Sequence, residues 1–138
     1  MMAYRRQYRI EFNHCDPAGI VFYPRYFEML NSVVENFFRD VGDYPFSEVV
    51  AGGNGSPTVR TEAVFRAPSR LGDVVTFTLK VTGIGRSSID FHTEMHGADE
   101  GLRAEFRHRV VWTEGPKSAP WPDALRARFT AAMKEDTP

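Results

Sequence analysis

Apolar and polar residues alternate with a period of two along five stretches of the chain. In residues 7–12, Tyr8, Ile10 and Phe12 fall on one face. Val59, Thr61, Ala63 and Phe65 then alternate with Arg60, Glu62 and Arg66. Val75, Phe77, Leu79 and Val81 alternate with Thr76, Thr78 and Lys80, and Ile89, Phe91, Thr93 and Met95 with Asp90, His92 and Glu94. In the last stretch Leu102, Ala104, Phe106, His108, Val110 and Trp112 alternate with Arg103, Glu105, Arg107 and Arg109. Each pattern predicts a half-buried antiparallel strand with one polar face. Turn chemistry separates the runs: Pro68 to Asp73, Gly83-Ile84-Gly85, and Asp99-Glu100-Gly101.

Between the first and second runs the period becomes helical. Tyr26, Leu30, Val33, Phe37 and Val41, with Phe27, Val34 and Phe38, make a wide apolar face, while Glu28, Ser32, Glu35 and Arg39 lie opposite. Pro24 suits the first turn of this helix and Gly42 its end. Residues 43–55 are turn-rich, with room for a short helical turn at 46–51, and a tail helix is expected over about 122–134. The order predicts an α+β fold: a curled antiparallel sheet of about five strands wrapped around one long central helix. One domain spans 1–138, with a helical tail over about 120–138.

Composition narrows the class. The 138 residues are 42% hydrophobic and 25% charged, with a formal net charge of −1. These values fit a globular domain and argue against disorder and against a nucleic-acid binder. No apolar run nears the roughly 20 residues that span a bilayer, so no membrane is expected as a partner. Met1 to Arg6 is basic but lacks the apolar segment of a signal peptide. Cys15 is the single cysteine, so no intrachain disulfide is possible. A cytoplasmic location is expected.

Asp16 stands in a loop before the buried helix, followed by Pro17, Ala18 and Gly19. Its side chain either closes an Asx turn or acts as a carboxylate beside the unpaired N–H groups of a helix N-terminus, where an oxyanion can be held. His14 and Cys15 are adjacent in an extended segment and point apart, so they do not suit a nucleophilic pair. Cys15 reads as an inert thiol, and His14 as a residue that positions the loop or the substrate. His92 and His96 share a polar strand face with Glu94; the spacing fits no metal motif, and no metal is expected. Asn31 lies among apolar helix neighbours, either satisfied by backbone or placed against a ligand. Glu35 reads as a surface residue. Gly83-Ile84-Gly85-Arg86-Ser87-Ser88 is a hairpin loop in which Arg86, Ser87 and Ser88 offer contacts to a phosphate.

The run His14-Cys15-Asp16-Pro17-Ala18-Gly19-Ile20-Val21-Phe22-Tyr23-Pro24-Arg25-Tyr26 closely resembles the acidic-loop signature of the 4-hydroxybenzoyl-CoA thioesterase family, a branch of the hot-dog fold superfamily. Phe65 to Asp73 resembles the strand, proline turn and Gly-Asp stretch of hot-dog proteins. Gly55-Ser56-Pro57 resembles the approach to that family's second strand. The resemblance implies hydrolysis of an acyl-CoA thioester. In the family the residue matching Asp16 is nucleophile or general base, and the backbone N–H matching Tyr23 faces the thioester carbonyl. Tyr at that position leans the substrate towards an aromatic acyl group; a short- or medium-chain acyl group is the alternative. His14, Asn31, Pro57, Arg86, Ser87 and Ser88 are the expected substrate contacts. No cofactor is implied, since coenzyme A is part of the substrate. One sheet and one helix leave little interior for a ligand, so the site is expected between subunits of a homodimer that assembles to a homotetramer. A hot-dog hydratase, which needs a His with a carboxylate, and a non-catalytic acyl-CoA-binding protein are the rival readings.

Overall fold

The computed structural model describes residues 3–136; Met1 and Met2, and the last two residues of the expected tail, lie outside the described residues. The first strand, β1 (Tyr4–Arg9), is followed by a short 3-10 turn and a loop. Helices α1 (Pro24–Asp40) and α2 (Phe46–Ala51) come next. The strands β2 (Asn54–Gly55), β3 (Thr58–Phe65), β4 (Val74–Ile84), β5 (Ser88–Gly97) and β6 (Leu102–Val111) follow, then the short β7 (Thr113–Glu114) and β8 (Lys117–Ser118), and last α3 (Asp123–Asp136).

The main sheet has five antiparallel strands in the order β1-β4-β5-β6-β3. Its inward residues alternate as expected, and Val75, Phe77, Leu79, Ile89, Phe91, Met95, Ala104, Phe106 and Val110 are all buried. The apolar face of α1 packs on them: Phe27 meets Phe106 and Phe37 meets Phe91, both edge to face. Such aromatic pairs add to the stabilisation from area burial alone. The end of α1 and Trp121 also pack on α3 through Phe129. Leu125 and Phe129 are the residues α3 buries. A second sheet, β2-β7-β8, was not legible in the periodicity, because two-residue strands are too short to show any.

The first strand departs from expectation. It lies at Tyr4–Arg9, not 7–12, and Phe12 is 84% exposed. Its pairing with β4 ends at Arg9 against Val74; the Ile10 N–H then donates to the Asp73 carbonyl and the chain turns. The alternation of Tyr8, Ile10 and Phe12 continued past the point where a partner strand exists. At the other edge, β3 has β6 on one side and, among the described residues, no strand on the other. Val59, Val64 and Phe65 are exposed along it.

Candidate active site

The Asp16 loop is built from local chemistry. The Gly19 N–H donates to the Asp16 carbonyl over a turn with Asp first, Pro second and Gly fourth, each a favoured residue at its position. Gly19 has φ +79°, a conformation in which a side chain is strained. The Asp16 N–H donates to the Ile20 carbonyl, Cys15 bridges to Val21, and the Phe22 N–H donates to the His14 carbonyl. A small hairpin therefore carries Asp16 at its closed end and runs directly into α1.

Both readings of Asp16 meet here. Its Oδ1 accepts from the Ala18 N–H at 2.9 Å, an Asx turn. Its Oδ2 has no partner among the described residues, so one carboxylate oxygen is pinned and the other is free. At the start of α1, Pro24 has no N–H, and the Arg25 and Tyr26 N–H groups donate to the carbonyls of Phe22 and Tyr23. The Tyr23 N–H, just ahead of them, has no partner among the described residues. It is a free donor at the positive end of a helix dipole.

An aromatic wall borders this donor. Tyr23 lies 6.3 Å from Phe65, Tyr26 stacks on Phe65 at 5.4 Å, and Phe27 lies 6.4 Å from Phe65. Tyr23 and Phe65 remain 59% and 44% exposed, so the wall is open to a ligand or to another chain. The sequence marked Phe65 only as an inward strand residue.

His14 serves the loop: its ring Nδ1 accepts from the Glu11 N–H at 2.9 Å, and its backbone N–H donates to the Glu11 carbonyl. Its Nε2 therefore carries the proton in the neutral ring. Cys15 points its thiol to the Glu11 carbonyl, 3.6 Å away, and does not pair with His14. Asn31 is exposed on α1. Pro57 and the Arg86–Ser88 loop lie together: the Val111 N–H donates to the Pro57 carbonyl, and the Trp112 N–H to that of Ser87. Trp121 fastens the loop through its backbone N–H to Arg86 and its indole N–H to Ser88, and Arg126 donates to the Gly85 carbonyl.

These two groups are not brought together within one chain. Asp73, at the start of β4, binds Ile10 beside the Asp16 loop, whereas Gly85 follows the end of β4. The eleven residues of β4 separate them by roughly 30 Å.

The chain matches the model of the thioesterase-like superfamily over residues 10–129. The chain belongs to the thioesterase-like superfamily. It is 40% identical over 72 residues to 4-hydroxybenzoyl-CoA thioesterase of Pseudomonas sp. (strain CBS-3), a match that spans 51% of each chain, so about half the length of that relative is matched. Its structure is similar to that of BH1999 gentisyl-coenzyme A thioesterase, with TM-score 0.84 and 26% identity over 91% of this chain and 98% of that one. It is also similar to a thioesterase from Thermus thermophilus complexed with coenzyme A and Zn, with TM-score 0.80 and 25% identity over 94% and 93% of the two chains. The hot-dog fold of these relatives is the fold observed here.

On the outer face of this superfamily member's sheet, His92, Glu94 and Glu105 place ligand atoms within 4.8 Å of one another. The sequence showed the His92-Glu94-His96 row but not Glu105, which arrives from β6 opposite Glu94. Arg66 binds Glu105 with two N–H donors, at 3.0 and 2.7 Å, and holds its carboxyl below the usual range. The group belongs to the polar outer face, away from the aromatic wall. His108 is on the inner face, where burial pushes its pKa down; its Nε2 lies 3.2 Å from Thr58 Oγ1, and its buried Nδ1 has no hydrogen-bond partner among the described residues.

Proposed function

We propose that this chain is an acyl-CoA thioesterase acting on an aromatic acyl-CoA. The observation that carries the reading is a free Asp16 Oδ2 on a hairpin that runs directly into a free Tyr23 N–H, at the start of α1 beside an aromatic wall. The names of two of the three relatives, a 4-hydroxybenzoyl-CoA and a gentisyl-coenzyme A thioesterase, support it. The acyl ring lies against Phe65 and Tyr23, and the thioester carbonyl oxygen takes the Tyr23 N–H. Negative charge that develops on that oxygen is stabilised by the donor and the helix dipole. Asp16 either attacks the carbonyl carbon or removes a proton from an attacking water. The C–S bond breaks, and the CoA thiolate leaves and takes up a proton. If Asp16 attacks, the acyl-aspartyl anhydride is then hydrolysed by water, regenerating the carboxylate. No cofactor enters these steps. One free thiol, Cys15, accords with a reducing cytoplasm.

A second copy completes the site in this proposal. Arg86, Ser87, Ser88 and Pro57 receive the nucleotide end of CoA, and Asn31 the acyl group. In one chain the phosphate loop is a full strand away from Asp16. Two copies pairing antiparallel along their open β3 edges place the Phe65 end of one beside the Thr58 end of the other. The Asp16 loop of one chain then faces the Pro57 and Ser87 region of its partner. Two such dimers make the expected tetramer.

Asp16→Asn tests the mechanism. The amide oxygen retains the Ala18 hydrogen bond, so the loop stays folded, while the carboxylate is lost. Thiol release from benzoyl-CoA and 4-hydroxybenzoyl-CoA should fall by orders of magnitude. Wild-type rates in a folded Asp16→Asn protein would overturn the reading. A straight-chain acyl-CoA turned over faster than either aryl ester would replace the substrate class and leave the mechanism.

A further inference from the structure

We infer that Arg103 is a positioning residue for Asp16, acting through the turn at residues 68–73; the inference rests on the role proposed for Asp16.

The Asp16 hairpin does not stand alone. The Val21 N–H donates to the Ser69 carbonyl at 2.9 Å, the Leu71 N–H to the Gly19 carbonyl at 3.2 Å, and Ile20 bridges to Arg70. The turn at 68–73 is therefore the platform under the catalytic loop. It contains no helix; backbone hydrogen bonds tie its far end, from the Gly72 N–H to the Ile10 carbonyl, from the Ile10 N–H to that of Asp73, and from the Asp73 N–H to that of Arg70. The stretch from Pro68 to Arg70 has a side-chain brace as well.

One guanidinium supplies it. Arg103 Nη1 donates to the Pro68 carbonyl (3.1 Å), Ser69 Oγ (3.2 Å) and Asp73 Oδ2 (3.3 Å), three acceptors sharing its two hydrogens. Its Nη2 faces Asp99 at 3.5 Å. Asp73 Oδ2 also accepts from the Arg70 N–H at 2.8 Å, which closes the turn. The backbone joins in: the Arg66 and Ala67 N–H groups both donate to the Arg103 carbonyl. Ser69 is fully buried and the Arg103 side chain only 16% exposed, so the bond between them is shielded from water, while Asp99 is 71% exposed. Gly97, near Arg103 on the neighbouring strand, leaves the space: a Cβ there would overlap the guanidinium. The planar fork matches acceptors lying in several directions at once, which an ammonium does less well.

The coupling to chemistry follows from the pinned Asp16 Oδ1. The carboxylate is tied to its own turn, so a shift of that turn on its platform moves Oδ2 by the same amount. A misplacement near 1 Å costs on the order of 100-fold in rate.

The experiment compares Arg103→Met, Arg103→Lys and Gly97→Ala with wild type in full-length protein. It reads kcat and KM on benzoyl-CoA, thermal unfolding, and amide exchange at Val21 and Leu71. Expected for Arg103→Met is a kcat loss of about 10- to 100-fold with KM within about threefold. Exchange should be faster at Val21 and Leu71 and unchanged in β5. Arg103→Lys should recover part of the rate, and Gly97→Ala should reproduce the loss with Arg103 still present. Faster exchange at those amides with kcat within twofold of wild type would overturn the inference. So would a rate loss that tracks the folded fraction, with exchange raised throughout the sheet. Failure of the Asp16 role is distinguished by Asp16→Asn: if that variant keeps full turnover the function reading falls, and exchange at Val21 and Leu71 still decides whether Arg103 holds the loop.

Discussion

Gly19 offers a measure of how far the shape of the Asp16 loop controls activity. Its φ of +79° lies where an L side chain is strained, yet a Cβ there would meet nothing within 4 Å. Gly19→Ala therefore adds backbone strain without a clash. The strain is about 1–2 kcal/mol. Reduced freedom of the unfolded chain offsets about 0.4–1 kcal/mol of that. The net cost is roughly 0–1.6 kcal/mol, which for a chain of this size lowers Tm by up to about 6 °C. Gly115, in the turn between β7 and β8, is the control. It too has positive φ and open space around its missing Cβ, so Gly115→Ala should lose a similar few degrees. The two variants part in turnover. Relaxing the strain at Gly19 re-aims the turn that holds Asp16, and kcat should fall at least about tenfold, whereas Gly115→Ala should keep wild-type kcat. Thermal melts by circular dichroism and thiol release from benzoyl-CoA give both readouts. If both variants lose the same few degrees and both keep full turnover, the loop conformation does not set the carboxylate, and the reasoning fails.

Two further outcomes are expected. The half-buried His108 favours its neutral ring in the fold, so its folded pKa lies below the usual value near 6.5. The unfolded chain then binds more protons, and stability is fully present above about pH 6.5 and lost as pH falls towards the folded pKa. Tm measured from pH 7.5 to 5 should therefore fall more steeply for wild type than for His108→Leu; equal slopes would refute this. Light scattering on dilution should give at least twice the chain mass wherever turnover is full, and full turnover at the mass of one chain would overturn the shared site.

Much of the fold was legible because short-range chemistry carries it. The limits of α1 follow from Pro24 and the end of an apolar face, and the five main strands from alternation with turn residues between them. The Asp16 turn is readable in its own four residues, because Asp, Pro and Gly each suit one position of it. The carboxylate's second oxygen, left free, was not readable, nor was the Tyr23 N–H: whether a group has a partner depends on the rest of the chain. The first strand was misplaced by three residues for the same reason, since its limits depend on where β4 ends.

Other features were invisible to any local pattern. Arg103 alternates with inward residues and reads as solvated, yet Ser69 and Asp73, about thirty residues earlier, converge on it. Glu105 reaches His92 and Glu94 through strand register alone. Arg86 and Asp16 look like parts of one site when read along the chain, and β4 holds them apart.

The sequence by itself determined the long helix, the core of the five main strands and the turns between them, and where an acid stands before a buried helix. These outcomes depend on periodicity and on turn residues, which act over a few positions. The tertiary structure alone decided which donors and acceptors remain free, which guanidinium braces the turn under the Asp16 loop, and that one chain separates Asp16 from the Arg86–Ser88 loop. Those are set by register and strand order, which join residues tens of positions apart through backbone pairing and burial.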